Sequence, residues 1–218
     1  MGTITRGLAN NVTTAGRIAA SGISNSSVTS ITSFAGITGA DGSFTRLSTT
    51  TVGSPTASVT LTGMDSTYKL YLIDYSGVAP VTDSVHLQCK FSSDNGTTFH
   101  AGMGSGLRQY NGESSGTSAI GMNGSAGAVQ GSTFTLITDC GNDADMGQCG
   151  QVWISNPAST SLVKMFRSTN VGHHSSDLCW TSWIDGYVNT TTAIDSIQFL
   201  MASGNIAAGS FRIYGVTV

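Results

Sequence analysis

The fold is decided by Ile194-Asp195-Ser196-Ile197-Gln198-Phe199-Leu200-Met201, then Ala202-Ser203-Gly204-Asn205-Ile206-Ala207-Ala208-Gly209, then Ser210-Phe211-Arg212-Ile213-Tyr214-Gly215-Val216-Thr217-Val218. Ile197, Phe199 and Met201 alternate with Ser196, Gln198 and Leu200, and Phe211 and Ile213 alternate with Arg212 and Tyr214. A period of two puts one set on a buried face and the other outward, so the stretch predicts two β-strands. Gly204, Asn205 and Gly209 between them tolerate positive φ and mark a turn. A chain that closes this way completes a sheet with its C-terminus.

Working outward, the composition agrees. Of 218 residues 28 are Gly, one is Glu and three are Lys, while Ser, Thr, Val and Ile abound. That mixture favours strands and turns over helices. Apolar residues make up 39%, somewhat below the usual 45–50% or so, which still supplies one core. A formal net charge of −3 without a Lys/Arg cluster reads against nucleic acid as a partner, because capture of phosphates needs many basic contacts. No apolar run approaches the roughly 18 residues of a membrane span, so no membrane insertion is expected.

Met1-Gly2-Thr3-Ile4-Thr5-Arg6 lacks the basic start and apolar run of a secretory signal. Synthesis in a reducing cytoplasm follows from that reading. Cys89, Cys140, Cys149 and Cys179 match no zinc or redox spacing. They read as reduced structural thiols, although Cys140 and Cys149 flank a loop that a disulfide would close.

Residues 1–45 differ from the rest. They lack Trp, Tyr, Cys, Lys and His, and their apolar residues fall at irregular spacings of three to six. That pattern supports neither a long helix nor a coiled coil. It reads as an extended N-terminal arm, used for attachment or trimerisation. From residue 46 to 218, alternating runs recur at 57–61, 68–74, 84–92, 133–137, 151–155, 162–168, 179–188, 194–201 and 210–218. The expected body is therefore an all-β, antiparallel β-sandwich, whose edges trimerisation would cover. The glycine-dense segment 102–131 reads as a long loop or paired loops.

Few motifs carry chemistry. Ser92-Ser93-Asp94-Asn95-Gly96-Thr97-Thr98-Phe99 fits the Asp-box pattern of sialidases and other proteins, in which Ser92, Asp94, Gly96, Thr98 and Phe99 build a hairpin. It occurs once and brings no catalytic group. His173 and His174 lie next to Ser175, Ser176 and Asp177, but neighbours on a strand point to opposite faces and a third ligand, His86 or His100, would have to come from afar. Asp139, Asp143 and Asp145 lack the glutamate and glycine placement of an EF-hand loop. No metal, cofactor or catalytic residue is assigned. Trp153, Trp180 and Trp183 raise the question of a sugar platform. Trp180 and Trp183, three apart, fall on opposite faces of a strand, so at least one belongs to the core. These two are the candidates for glycan contact.

Several stretches together resemble small virion proteins of tailed bacteriophages. Residues 193–215 resemble the close of many such chains. Asp83-Ser84-Val85-His86-Leu87-Gln88 with Ser93-Asp94-Asn95-Gly96, and Ile154-Ser155-Asn156-Pro157, are similar to their recurring strand and hairpin ends. Gly22-Ile23-Ser24-Asn25-Ser26-Ser27-Val28 resembles fibre-like N-terminal segments of tail and head-decoration proteins. The resemblance implies a jelly-roll-like domain, a homotrimer held to other virion proteins by its arm, and a place on the virion. It brings no catalytic residues. The leading expectation is a short tail fibre or spike with a host-contact role. A capsid decoration (cement) protein is the alternative within that class. A carbohydrate-binding module, and more remotely a glycan hydrolase, are alternatives from other classes.

Overall fold

A computed structural model describes residues 44–112, 118–122 and 129–217. The arm read over 1–45 lies outside them except at its last two positions, which belong to the first strand. Thirteen strands follow in order: β1 (Phe44–Val52), β2 (Ser58–Thr62), β3 (Leu70–Pro80), β4 (Val85–Ser92), β5 (Gly102–Gly112), β6 (Ser118–Met122), β7 (Val129–Gly131), β8 (Phe134–Cys140), β9 (Gln148–Ser155), β10 (Lys164–His174), β11 (Leu178–Val188), β12 (Ser196–Met201) and β13 (Ile206–Val216). No helix occurs among the described residues.

Eight of these strands pair in a nested order. β1 pairs with β13, β2 with β12, β3 with β9 and β4 with β8, all antiparallel. The first strand of the eight therefore meets the last, the second meets the seventh, and so inward. Two further ladders, β13 with β3 and β12 with β4, gather these pairs into two sheets. This is a long antiparallel ribbon rolled up on itself, the jelly-roll solution to burying two sheet faces at once. The layers are seamed on both sides, by the Thr56–Ile206 bridge and by the single His174–Cys140 pair between β10 and β8.

The two strands read from the C-terminus thus do not pair with each other. β12 lies between β4 and β2 in one sheet, and β13 between β1 and β3 in the other. Alternation placed their side chains correctly: Ile197, Phe199, Met201, Phe211 and Ile213 are buried. At the turn, Gly204 and Gly209 have positive φ (74° and 141°), while Asn205 is not among the positive-φ residues. Phe199 closes the gap between layers, with ring centroids 5.0 Å from Phe211 and 5.6 Å from Tyr75. Phe134 and Phe166 meet at 4.8 Å further along the core. Rings at such distances add modestly to the large apolar area they bury.

The remaining strands widen the β1-β13-β3-β9 sheet. β10 adds to β9, β11 to β10, β5 to β11, and β6 and β7 to β5. The loop expected over 102–131 is therefore wrong for much of its length, since β5 pairs with β11 through all of Gly102–Gly112. The reason lies in glycine at every second position, Gly102, Gly104 and Gly106, which erases the apolar phase of the alternation. A Cβ on Gly102 would meet the Tyr187 carbonyl and the Phe134 ring, and one on Gly186 would meet the Met103 carbonyl and the Phe166 ring. The rings occupy the space that side chains would have filled.

Under this extension a polar cluster is set into the core, between Phe166, Trp180 and Ile184. β8 is laddered to β4 but to β10 only at its end, so the Leu136 carbonyl has no strand partner on that side. Asn170 Nδ2 donates to it at 3.3 Å and to Ser168 Oγ at 3.1 Å, and Ser182 Oγ donates to the same carbonyl. Tyr75 donates its hydroxyl to Asn170 Oδ1 at 2.6 Å. Burial of that hydroxyl holds the Tyr75 pKa well above its ordinary value. The network satisfies a strand edge that would otherwise be buried without partners.

Candidate functional site

The outward positions of the wide sheet fall into rows across the strands. One row is Tyr214 (β13), Leu72 (β3), Trp153 (β9), Arg167 (β10) and Asp185 (β11), each opposite the next in register. With strands about 4.8 Å apart, five residues span about 20 Å. The neighbouring row is Arg212, Asp74, Gln151, Thr169 and Trp183.

A groove of about 740 Å³ opens on this face, lined by Leu70, Trp153, Ser155, Met165, Phe166, Arg167, Asp185 and Gly186. It forms where β9 and β10 part. Their ladder ends at Ile154–Phe166. Asn156, in a left-handed conformation (φ 47°), then turns the chain out of the sheet. The connecting loop is held on the inner side by Lys164, whose buried ammonium donates to the carbonyls of Ser159 (2.5 Å), Leu162 (2.9 Å) and Thr190 (3.2 Å). Loss of water around that ammonium lowers the Lys164 pKa. Removing the loop from the outer face leaves the groove open.

A second depression of about 270 Å³ lies beside it, lined by Phe44, Leu72, Asp74, Gln151 and Tyr214. Phe44 packs edge-on against both Trp153 (6.1 Å) and Tyr214 (6.5 Å), so an aromatic ridge separates the two. Charged groups flank them. Arg212 holds Asp74 at 3.0 Å. Arg167 and Asp185 stand 3.8 Å apart with side chains 75% and 66% exposed. An ion pair that loose contributes little to stability, and both groups keep hydrogen-bonding capacity for something else.

Of the two tryptophans singled out from sequence, Trp180 is 4% exposed and Trp183 37%. Trp180 sits inside, stacked on His174 at 4.8 Å with the Arg108 guanidinium 5.0 Å from its ring. Only Trp183 presents a face to solvent, and it lies outside the groove lining. The tryptophan in the groove is Trp153. Its sequence signal is a large aromatic on the polar phase of a strand: Val152 and Ile154 point inward, while Cys149, Gln151, Trp153 and Ser155 point out.

The Asp-box residues form a hairpin end. Asp94 Oδ1 accepts from Ser92 Oγ (2.7 Å) and from the N–H groups of Thr98 (2.6 Å) and Thr97 (3.2 Å), and Ser92 Oγ accepts from Gly96 N–H at 3.0 Å. Led by the Thr98 N–H, these donors bring the Asp94 pKa down to about 2. Lys90 lies 5.0 Å from the Phe99 ring.

The histidines separate. His100 bonds Ser93 at 2.8 Å, while His86 and His174 both approach Asp139, at 3.9 and 3.8 Å. Asp139 N–H donates to His86 Nδ1 and Ser176 N–H to His174 Nδ1. Each ring therefore carries its neutral-form proton on Nε2. Burial lowers the His174 pKa, against the pull of Asp139. Among the described residues no group of three or more His, Cys, Asp or Glu is arranged to hold a metal ion. All four cysteines are free thiols. Burial pushes Cys140 up to about 12 and raises Cys89 as well.

Searches with this chain against family models, curated proteins and solved structures find no match in any of the three.

Proposed function

We propose that this chain is a structural protein of a bacteriophage virion, exposed on the particle as a short tail fibre or spike whose β-body contacts the host. The observation that carries the reading is the rolled eight-strand body whose widened sheet leaves aromatic and aliphatic side chains outward, with Trp183 37%, Met165 55% and Phe44 49% exposed. Exposed apolar faces of this kind mark surfaces that meet another molecule. The same architecture serves in viral capsid and lectin domains. The likeness of residues 193–215 to the ends of phage virion proteins supports the same reading. Its role is structural and not catalytic. It assembles as a homotrimer, and residues 1–45 attach it to other virion proteins.

The test is localisation. Antibody raised against residues 44–218 should decorate purified particles at the tail, and the chain should appear in their protein profile in a low, fixed ratio to the major capsid protein. A chain deleted of residues 1–40 should remain folded yet fail to enter particles. Absence from purified particles, or normal incorporation of the truncated chain, removes the attachment role.

A further inference from the structure

We infer that the groove around Trp153 binds a neutral saccharide chain lying across the strands, an inference that rests on the host-contact reading and names its ligand class. A sugar ring offers an apolar C–H face and a rim of hydroxyls. The groove offers the match: its lining combines the apolar Trp153, Leu70 and Met165 with Ser155, Arg167 and Asp185 as donors and acceptors. A few placed polar groups around an apolar surface are the usual make-up of a small-ligand site, and an aromatic platform suits the ring face.

Charge selects among ligands. The groove carries one cation and one anion, Arg167 and Asp185, 3.8 Å apart. Their fields cancel at a distance, yet each can hydrogen-bond a hydroxyl. An anionic ligand drawn to Arg167 would meet the Asp185 carboxylate beside it, and a cationic one drawn to Asp185 would meet the guanidinium. An extended peptide is disfavoured for another reason. Strand addition needs a free sheet edge, and β3, β9, β10 and β11 are paired on both sides except where β9 and β10 part, an opening no longer than Ser155 on one strand and Lys164 and Met165 on the other. A flat apolar protein partner would have to cover the polar row of Arg212, Asp74, Gln151 and Thr169 that crosses the same face. For a chain of sugars that row is an asset, because it continues the hydroxyl-binding groups toward the second depression, where Asp74 and Gln151 meet Tyr214 and Phe44.

The experiment uses the full chain in native gels cast with soluble neutral polysaccharides (mixed-linkage glucan, galactomannan, xylan and dextran), alongside an array carrying neutral and acidic oligosaccharides. Retardation by at least one neutral polysaccharide, or binding to neutral array members, is expected. Trp153→Ala should weaken it about tenfold or more. The doubly substituted Arg167→Ala/Asp185→Ala chain, altered only at exposed side chains, should weaken it comparably with an unchanged unfolding midpoint. Val81→Ser, at an exposed position outside the groove lining, should bind normally. Silence across all neutral probes overturns the inference, as does binding confined to acidic glycans. So does binding that survives the double substitution, or that is lost in Trp183→Ala but kept in Trp153→Ala. A chain present on particles that binds no saccharide refutes this inference alone, whereas one that binds but is absent from particles refutes only the virion role.

Discussion

The eight-strand roll and the β10–β11–β5 extension share one sheet but are held together by different chemistry. Inside the roll, Tyr75, Phe199, Phe211 and Ile213 fill the gap between layers with apolar volume. Beneath the extension, Phe166, Trp180, Ile184 and Val188 continue that core, but Ser168, Asn170 and Ser182 are buried among them and bond one another and the Leu136 carbonyl. Apolar packing tolerates exchange of side chains of similar volume. A buried polar network is stable only when every member is satisfied. The roll thus relies on apolar packing, while the extension adds to such packing a few polar residues that must satisfy one another. The groove lies on the boundary, with Trp153 from the roll and Met165, Arg167 and Asp185 from the extension.

The contrast can be broken first at its strongest point. Phe199→Ala, which empties the space between Tyr75 and Phe211, should cost about 3–5 kcal/mol, read as a lower urea midpoint with an unchanged slope. In the extension, Asn170→Ala strands the Tyr75 hydroxyl, leaves the Leu136 carbonyl to Ser182 Oγ alone and should cost about 1–3 kcal/mol. Adding Tyr75→Phe should cost much less in that background than in the native chain, because the two share a bond. Full additivity would mean that no network exists. Gly186→Ala, which forces a methyl toward the Met103 carbonyl and the Phe166 ring, should cost about 1–3 kcal/mol. A loss within experimental error would show that β5 and β11 have room to spare.

The smallest effect is pH-dependent and sits at the seam. The folded His174 pKa lies below its ordinary value of about 6.5, so the unfolded chain binds the proton more readily. The stabilisation is complete above that ordinary value and is lost as pH falls through the folded one. Thermal melts should decline on acidification below about pH 6.5, and His174→Gln should flatten that decline. An identical decline in the variant would assign the acid sensitivity elsewhere.

The roll was legible because its strands obey a two-residue apolar rhythm: Leu87, Cys89 and Phe91 inward on β4, Phe211 and Ile213 inward on β13. β5 was not, because glycine takes its inward positions and leaves no rhythm to read. β1 was missed for a related reason: eight of its nine positions, from Phe44 to Thr51, are exposed or half-exposed and it is a Thr-rich edge. Trp153 was visible as a tryptophan but not as a groove residue. Its setting depends on where β9 leaves the sheet and on Lys164 reaching carbonyls before and after β10, relations between distant segments that spacing does not encode.

The nested pairing also sets a timetable. Phe44 opposes Val216 in register, so the first strand of the body waits for the last. β12 and β13, the last strands of the body in chain order, are interior strands of the two layers. Until they leave the ribosome, β1 and β2 lack their ladder partners, while β3 and β4 each present an open flank. Such contacts, remote in sequence, make for slow folding and expose sticky edges meanwhile. The body therefore matures only once β13 has emerged, and a chain that stops short of β13 would leave β1 without its ladder partner and one flank of β3 open.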